Sequence, residues 1–307
     1  MSVKVFIDGS SGTTGLRIAD RLAQRPEIEL LSISAEGRKD VNERAKVINS
    51  ADLAFLCLPD AASKEVMPLL RPDVKVLDTS TAFRTDAAWD YGFPELAGQK
   101  EKIKNSCRVA VPGCYASGFI SIARPLVELG LAPAEYPFSC TGISGYSGGG
   151  KKMIAEYEDP DRDGCHDSSR IYGLNQHHKH LPEMQAVCGL TVPPVFSPVV
   201  GDFYCGMATT VLLQTALLPG QPTAAQIHEA LEAAYAGQRF VRVAPLDTPA
   251  MLYANTLAGT NELRLFVCGH DAQLTVTALF DNLGKGASGA AVQNLNIMLG
   301  VPEDTGL

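Results

Sequence analysis

One cysteine has the surroundings that a nucleophile needs. Cys114 follows Pro112 and Gly113, which break an apolar strand, and it precedes a stretch that predicts a helix ending near Gly130. The first N–H groups of a helix lack partners within it and carry partial positive charge, which favours a thiolate and lowers the pKa of a cysteine. The same run is also typical of a buried turn cysteine, so Cys114 alone does not decide the chemistry.

Residues 177–183 form a second group that could do chemistry. They carry three of the six histidines and one carboxylate. One imidazole near Cys114, oriented by Glu183 or another carboxylate, would act as an acid–base group. A metal site competes, because Cys165 and His166 lie nearby, but neighbouring histidines in an irregular segment rarely face one ion and the helical zinc spacing is absent. We therefore expect no metal, and the sequence leaves open which histidine moves the proton.

A glycine-rich loop at residues 9–15 follows the first predicted strand and opens the first predicted helix. Its G-x-x-G-x-x-G spacing suits a dinucleotide loop, because glycines let backbone N–H groups approach a pyrophosphate; a glycine-rich turn without a ligand is the alternative. After the second strand, Ser34, Arg38 and Lys39 suit a 2′-phosphate better than a ribose 2′-hydroxyl, although Glu36 lies among them. These residues favour NADP over NAD.

Two further loops have a structural and a functional interpretation. Residues 144–151 are rich in glycine, which is typical of a flexible loop but also lets a nicotinamide ring or an anionic substrate come close. Residues 281–286 are consistent with a plain capped turn before the last helix. Their amide and lysine would equally suit a carboxamide or a phosphate.

The elements predicted around these residues fall into two groups. Up to residue 110, apolar runs alternate with amphipathic segments, which predicts a Rossmann-type, doubly wound parallel sheet. Beyond residue 136, longer alternating strands predict an α+β catalytic domain with a mixed sheet. We predict a nucleotide domain over 1–115, completed by a helical segment at 287–307, and a catalytic and dimerisation domain over 116–286. The predicted strands are 3–8, 30–33, 53–58, 75–77, 208–217 and 272–280, and the predicted helices are 14–24, 61–70, 224–236 and 287–299.

Composition sets the class of protein. The 307 residues carry a net charge of −8, with 46% hydrophobic and 20% charged residues, as in an ordinary globular protein. The negative charge argues against nucleic-acid or anionic-membrane binding, and no apolar run is long enough to span a bilayer. A strand beginning at Val3 leaves no room for a signal peptide, and the eight cysteines form no Cys-x-x-Cys pair. We expect a reduced, cytoplasmic α/β protein.

Together these motifs resemble the N-acetyl-gamma-glutamyl-phosphate reductases of arginine biosynthesis, in their shorter bacterial form. The wider superfamily includes aspartate-semialdehyde and glyceraldehyde-3-phosphate dehydrogenases. The resemblance runs end to end, with two departures: Ser117 stands where the family usually has threonine, and Lys179 where its longer members have arginine. The matching stretches are the Gly9 loop and residues 78–84, 91–96, 112–115, 178–183, 281–287, 293–296 and 306–307.

The resemblance implies NADPH-dependent reduction of an acyl phosphate to a semialdehyde through a cysteine thioester, in a homodimer or homotetramer. Cys114 would be the nucleophile and His180 the acid–base group, with His178 and Glu183 beside them. The residues implied to bind NADP are Gly9, Ser11, Gly12, Thr13, Thr14, Gly15, Ser34, Arg38, Lys39, Leu58, Ser144, Gly145 and Asn282. Those implied to bind substrate are Arg84, Ser117, Ser147 and Gly148. The alternatives are a reductase of aminoadipyl or aspartyl phosphate, and a non-catalytic NADP sensor.

Overall fold

The computed structural model describes residues 2–247 and 249–307. The chain divides into two compact units. The first unit contains residues 1–94, 98–112 and 287–307, and the second contains 95–97 and 113–286. The division therefore falls after Pro112, three residues before the predicted boundary, and the short stretch 95–97 belongs with the second unit.

The first unit is built on a six-stranded, fully parallel sheet with the strand order β2-β1-β3-β4-β6-β5. Its elements are β1 (Val3–Asp8), α1 (Thr13–Leu22), β2 (Ile28–Leu31), α2 (Val41–Ser50), β3 (Leu53–Leu56), α3 (Asp60–Val66), β4 (Lys75–Asp78), β5 (Asp90–Tyr91), α4 (Gln99–Asn105) and β6 (Arg108–Ala110). Apolar residues of β1 alternate between two cores, one on each face: Val5 and Ile7 enter one cluster and Phe6 the other. Burial on both faces is what a doubly wound parallel sheet requires.

The last helix of the chain packs in the core of this first unit. Ala291 and Leu295 belong to the same buried cluster as Val5 and Leu53. The buried Asn294 donates its side-chain amide to the carbonyl of Gly92, 2.8 Å away. The helical segment was predicted from residue 287. It consists of a π-helical turn over Gly284–Ser288, followed by the last α-helix, α9, over Gly289–Leu299.

The second unit contains a seven-stranded mixed sheet with the order β11-β12-β13-β10-β7-β9-β8. Its elements are α5 (Cys114–Glu128), β7 (Ser139–Gly145), α6 (Gly150–Glu158), β8 (Arg170–Ile171), α7 (Leu181–Cys188), β9 (Val195–Gly201), β10 (Met207–Gln214), α8 (Ala224–Ala234), β11 (Val241–Val243), β12 (Leu263–His270) and β13 (Gln273–Phe280), after which α9 follows in the first unit. Helices α5 and α8 contact the sheet, and α7 packs on α5. One strand shows the two faces: on β10, Leu213 is 2% exposed and Leu212 is 46% exposed.

The predicted fold class, a Rossmann-type parallel sheet with a second α+β domain, is confirmed. The helix that follows Cys114 ends at Glu128, as expected near Gly130. Helices α2, α4, α6 and α7 were not predicted. Residues 144–151 are not a loop throughout, because they contain the end of β7, a 3₁₀ turn over Tyr146–Gly149 and the start of α6.

Candidate active site

The sulfur of Cys114 sits at the first residue of α5. Gly113 is the N-cap with an extended backbone, and no side chain caps the helix. Cys114 is half-buried, whereas nearly all of the helix that follows it is buried. All eight cysteines, which lie within the described residues, are free thiols. Burial raises the pKa of Cys57 to about 12 and also raises the pKa of Cys140 and Cys188, which keeps those thiols protonated and unreactive.

A carboxylate from α7 holds the turn that carries the cysteine. Glu183, 2% exposed, accepts a 2.9 Å hydrogen bond from the backbone N–H of Gly113. It lies in the first turn of α7, whose N-cap residue is His180. The prediction that Glu183 orients an imidazole stays a prediction. Through this hydrogen bond, Glu183 directly fixes the backbone of Gly113, the residue before Cys114.

The histidine segment folds over the aromatic residue that follows the cysteine. The ring of Tyr115 lies 5.8 Å from that of His178 and 6.1 Å from that of His180, centroid to centroid. The two imidazoles are 4.8 Å apart and nearly perpendicular. His180 is 4% exposed. In the second unit, the fold therefore places His178 and His180 against the ring of Tyr115, and Glu183 against the turn that precedes Cys114.

The two histidines differ in their hydrogen bonds. The backbone N–H of His180 donates to Nδ1 of His178 over 3.2 Å, and Nε2 of His178 lies 3.4 Å from the hydroxyl of Tyr172. Burial, with the charge of Lys179 as a smaller cause, lowers the pKa of His178 to about 4. His178 is therefore an uncharged imidazole near neutral pH.

The loop after β7 is fixed by an asparagine from the end of β13. The side-chain amide of Asn282 donates to the Ser147 hydroxyl over 3.1 Å, and its carbonyl oxygen accepts from the N–H of Gly206 over 2.8 Å. Ser144, Ser147 and Asn282 are each at most 3% exposed, while Gly148 is exposed. Gly145 lies in the same turn. The structure thus brings five predicted binding residues close together, namely Ser144, Gly145, Ser147, Gly148 and Asn282. Asn282 holds this loop through both ends of its carboxamide.

Lys285, which the sequence suggested for a phosphate or carboxamide, is directed elsewhere. Its ammonium group lies 2.7 and 2.8 Å from the two carboxylate oxygens of Glu95, and both side chains are 1% exposed. A lysine enclosed in this way holds the fold rather than a ligand. The next residue, Gly286, packs against the cysteine: a Cβ at Gly286 would lie 2.9 Å from the Cβ of Cys114.

The glycine loop of the first unit forms a tight turn between β1 and α1. Gly9 has φ +93°, and a Cβ there would lie 2.6 Å from the carbonyl oxygen of Cys57 and 2.9 Å from the side chain of Leu58. A Cβ at Gly15 would lie 2.4 Å from the carbonyl oxygen of Gly9. The N-cap of α1 is Gly12, and no side chain caps the helix. Such a turn leaves backbone N–H groups of residues 13 and 14 available for a pyrophosphate.

The residues predicted to select NADP lie after β2. Ser34 accepts a hydrogen bond from the N–H of Gly37 over 3.0 Å, which forms the turn. Arg38 and Lys39 lie in a 3₁₀ turn over Gly37–Lys39 and are exposed. Ser11 is exposed as well, on the glycine loop. Two exposed cations in one turn could bind a phosphate group.

Two predicted substrate residues have structural contacts. Arg84 is 9% exposed and donates to the carbonyl oxygens of Val111 and Thr79 over 2.9 and 3.0 Å, within the first unit. The hydroxyl of Ser117, 1% exposed, donates to the carbonyl oxygen of Gly113 over 3.1 Å. These contacts tie Arg84 to strand ends and Ser117 to the first turn of α5. Their contact with substrate stays a prediction.

Sequence reasoning missed the residues that hold the histidine segment. Gln176 has φ +56°, an uncommon backbone for a residue other than glycine, and its amide pairs with the N–H and carbonyl of Phe196, each over 2.9 Å. Tyr172 was missed although it lies close to the histidines in sequence. Within residues 2–247 and 249–307, no group of three or more His, Cys, Asp or Glu side chains is arranged to hold a metal ion. In the same part of the chain, no helix has the length and apolar character needed to cross a bilayer.

Comparison with known proteins defines the class. A family model described as "Semialdehyde dehydrogenase, NAD binding domain" matches residues 4–106, and one described as "Semialdehyde dehydrogenase, dimerisation domain" matches 114–282. The solved structure of aspartate semialdehyde dehydrogenase II from Vibrio cholerae has a TM-score of 0.69 at 17% identity, covering 97% of this chain and 99% of that one. Aspartate semialdehyde dehydrogenase with NADP from Candida albicans has a TM-score of 0.66 at 14% identity, covering 97% and 99%. The fold is that of the semialdehyde dehydrogenases, with an NAD(P)-binding domain.

Curated relatives narrow the class to one family. "N-acetyl-gamma-glutamyl-phosphate reductase 2" of Nostoc sp. is 48% identical, covering 99% of each chain. The N-acetyl-gamma-glutamyl-phosphate reductase of Brucella anthropi is 48% identical, covering 98% of this chain and 99% of that one. The chain belongs to the N-acetyl-gamma-glutamyl-phosphate reductase family. The resemblance inferred from the motifs, and the oxidoreductase class that it implied, are confirmed.

Proposed function

We propose that this protein reduces N-acetyl-gamma-glutamyl phosphate to N-acetylglutamate 5-semialdehyde with release of phosphate, in arginine biosynthesis. The observation that carries the proposal is the placement of Cys114 at the start of α5, with Glu183 on the preceding N–H and two imidazoles on the adjacent aromatic ring. The names of the curated relatives support the substrate. A thiolate beside an acid–base group suits an acyl phosphate, which is already activated for attack.

In the first half-reaction, the Cys114 thiolate attacks the acyl carbon. A C–S bond forms and the bond from that carbon to the phosphate oxygen breaks, which yields a thioester and phosphate. His180 takes the thiol proton and returns it to the departing phosphate. The helix N-terminus stabilises the thiolate, and the donation of the Gly113 N–H to Glu183 fixes the turn on which the sulfur is carried. Because the mechanism needs a free thiolate, we place the enzyme in the reducing cytoplasm.

In the second half-reaction, the thioester carbon becomes the electrophile. When bound, NADPH would provide the hydride that reduces this carbon. The resulting oxyanion on Cys114 then collapses: the C–S bond breaks, the aldehyde leaves and the thiolate is restored. His180 donates a proton to this oxygen and takes it back as the C–S bond breaks. Overall, one proton is consumed with each acyl phosphate.

The residues that would hold NADPH fall in two sets. In the first unit, residues 9–15 and Leu58 would surround the pyrophosphate, and Arg38 and Lys39 would bind the 2′-phosphate. In the second unit, the loop held by Asn282 would approach the nicotinamide through Ser144 and Gly145. This loop would also bind the substrate through Ser147 and Gly148, with Arg84 and Ser117 as further predicted contacts.

We also propose that the protein is a homodimer or homotetramer formed through the second unit. This part of the chain matches a dimerisation domain. Its sheet has one face away from the helices, on which Leu212, Ser139 and Val195 lie side by side in register. Leu212 is 46% and Val195 65% exposed, and on the same face Ile143 is 39% exposed. Size-exclusion chromatography with light scattering should give a molar mass that is a multiple of 32.7 kDa. The substitution L212D should lower that molar mass.

The reaction is tested in its oxidative direction, which avoids the use of a readily hydrolysed acyl phosphate. Purified protein is given NADP, phosphate and one semialdehyde at a time: N-acetylglutamate, aspartate or aminoadipate semialdehyde. We expect phosphate-dependent formation of NADPH with the first only, and none with C114S, which should still bind NADPH. Turnover of another semialdehyde instead would assign the rival substrate, and tight NADPH binding without any turnover would make the protein a sensor.

A further inference from the structure

A hydrogen-bonded series of three groups ends at the proposed acid–base residue. The Tyr172 hydroxyl lies 3.4 Å from Nε2 of His178, and Nδ1 of His178 lies 3.2 Å from the backbone nitrogen of His180. The last contact fixes a direction, because a backbone N–H only donates. Nδ1 of His178 is therefore the acceptor and carries no proton.

The position of one proton follows from this. A neutral imidazole carries a single N–H, so the proton of His178 resides on Nε2 and is directed at the oxygen of Tyr172. Burial raises the pKa of Tyr172 to about 12, so that oxygen belongs to a neutral phenol. His178 thus uses both ring nitrogens in structural hydrogen bonds. It has no nitrogen left to exchange a proton with a substrate.

The surroundings keep His178 in this state. The rings of Phe196, Tyr115, Tyr172 and His180 lie 5.1, 5.8, 5.7 and 4.8 Å away, and Lys179 is the adjacent charge. None of these neighbours is a carboxylate that would stabilise an imidazolium. The apolar ring faces and the neighbouring ammonium group both favour the uncharged form.

We propose that Tyr172 and His178 are positioning residues for His180: Tyr172 fixes the ring of His178, and Nδ1 of His178 holds the backbone at which α7 begins. The proposal rests on the proposed function, in which His180 moves the proton. It divides the two imidazoles by role. His180 titrates during the reaction, while His178 keeps one tautomer throughout.

Three substitutions of His178 distinguish a positioning role, in which it accepts the His180 N–H, from a role in proton transfer. In H178N, the asparagine Oδ1 takes the place of Nδ1 and can accept the His180 N–H; in H178Q the amide reaches toward the Nε2 position instead, and H178A has no acceptor. We expect H178N to keep kcat within about fivefold of the unsubstituted enzyme, the loss of one weak hydrogen bond. H178Q and H178A should lose about 10–100-fold through displacement of His180. Equal losses in all three would show that His178 transfers a proton and would overturn the proposal.

Tyr172 is tested with Y172F, which removes only the oxygen. We expect kcat to fall about twofold to fivefold with KM unchanged, the same weak hydrogen bond being lost as in H178N. Y253F is the matched control, because Tyr253 is 60% exposed, and it should leave kcat unchanged. Unchanged kcat in Y172F would remove Tyr172 from the proposal.

A spectroscopic measurement keeps the test independent of activity. The ¹⁵N signals of the His178 ring, assigned with H178N, should show a protonated Nε2 and an unprotonated Nδ1 at pH 7. An imidazolium or a protonated Nδ1 would overturn the proposal. A protein with the expected tautomer but no reductase activity would refute the proposed function instead.

Discussion

Substitution of Gly286 by alanine should impair the cysteine without changing any reacting group. An added Cβ would lie 2.9 Å from Cys114 Cβ, and 3.2 Å from both the carbonyl oxygen of Asp281 and the ring of Phe280. Carbon atoms in contact normally lie about 3.5–4.0 Å apart, so the overlap with Cys114 is at least about 0.6 Å. The backbone of Gly286 cannot retreat easily, because its N–H donates to Asp281 over 2.9 Å.

The overlap has two expected costs. Overpacking of this size destabilises a protein by about 1–3 kcal/mol, and a displaced nucleophile loses up to about 100-fold in rate. We therefore expect G286A to lower kcat and the rate of Cys114 alkylation by iodoacetamide about 10–100-fold, and to lower the midpoint of urea unfolding. G164A is the matched control, since nothing lies within 4 Å of a Cβ there. Alkylation and turnover of G286A equal to those of G164A would refute the packing argument.

Three further results are expected. K285M leaves the Glu95 carboxylate buried without its cation and should cost about 3–5 kcal/mol of unfolding free energy in urea titration, most of it recovered when Glu95 is also made apolar. R38A should raise KM for NADPH far more than KM for NADH, and equal changes would place Arg38 away from the 2′-phosphate. The pKa of His178 is lowered from 6.5 to about 4, so the unfolded chain gains this proton first as pH falls. The contribution of His178 to the unfolding free energy should thus be fully present above pH 6.5 and be lost as pH falls toward 4, and H178N should remove this part of the decline.

The sequence predicted the fold class because the two units differ in pattern. Short apolar runs such as β1 and β3 are buried on both faces, whereas β10 alternates between core and surface. Helices α2 and α4 were missed because they are short and strongly charged, with only a few buried residues each. Their burial depends on packing against the sheet, which no local pattern records.

The candidate site was predictable in its residue types and not in its contacts. Cys114 and the histidines were recognised from a helix start and a cluster. That Glu183 accepts from the N–H of Gly113 could not be foreseen, since the two residues meet only through the packing of α5 on α7. For Lys285 the sequence suggested a contact that the fold does not make. A lysine in a glycine-rich turn suggests a bound ligand, but in the structure its ammonium group pairs with the carboxylate of Glu95.

Helices α5 and α7 are joined by hydrogen bonds near both of their ends. Glu183 of α7 accepts from Gly113 before α5, and further along Arg124 of α5 donates to the carbonyl oxygen of Val187 over 2.7 Å. The two groups assigned to the chemistry therefore belong to one rigid helical pair. A protein engineer could vary the loop at residues 144–148, which we propose binds the substrate, while leaving that pair intact, and could treat the pair as a unit to be grafted whole onto another sheet.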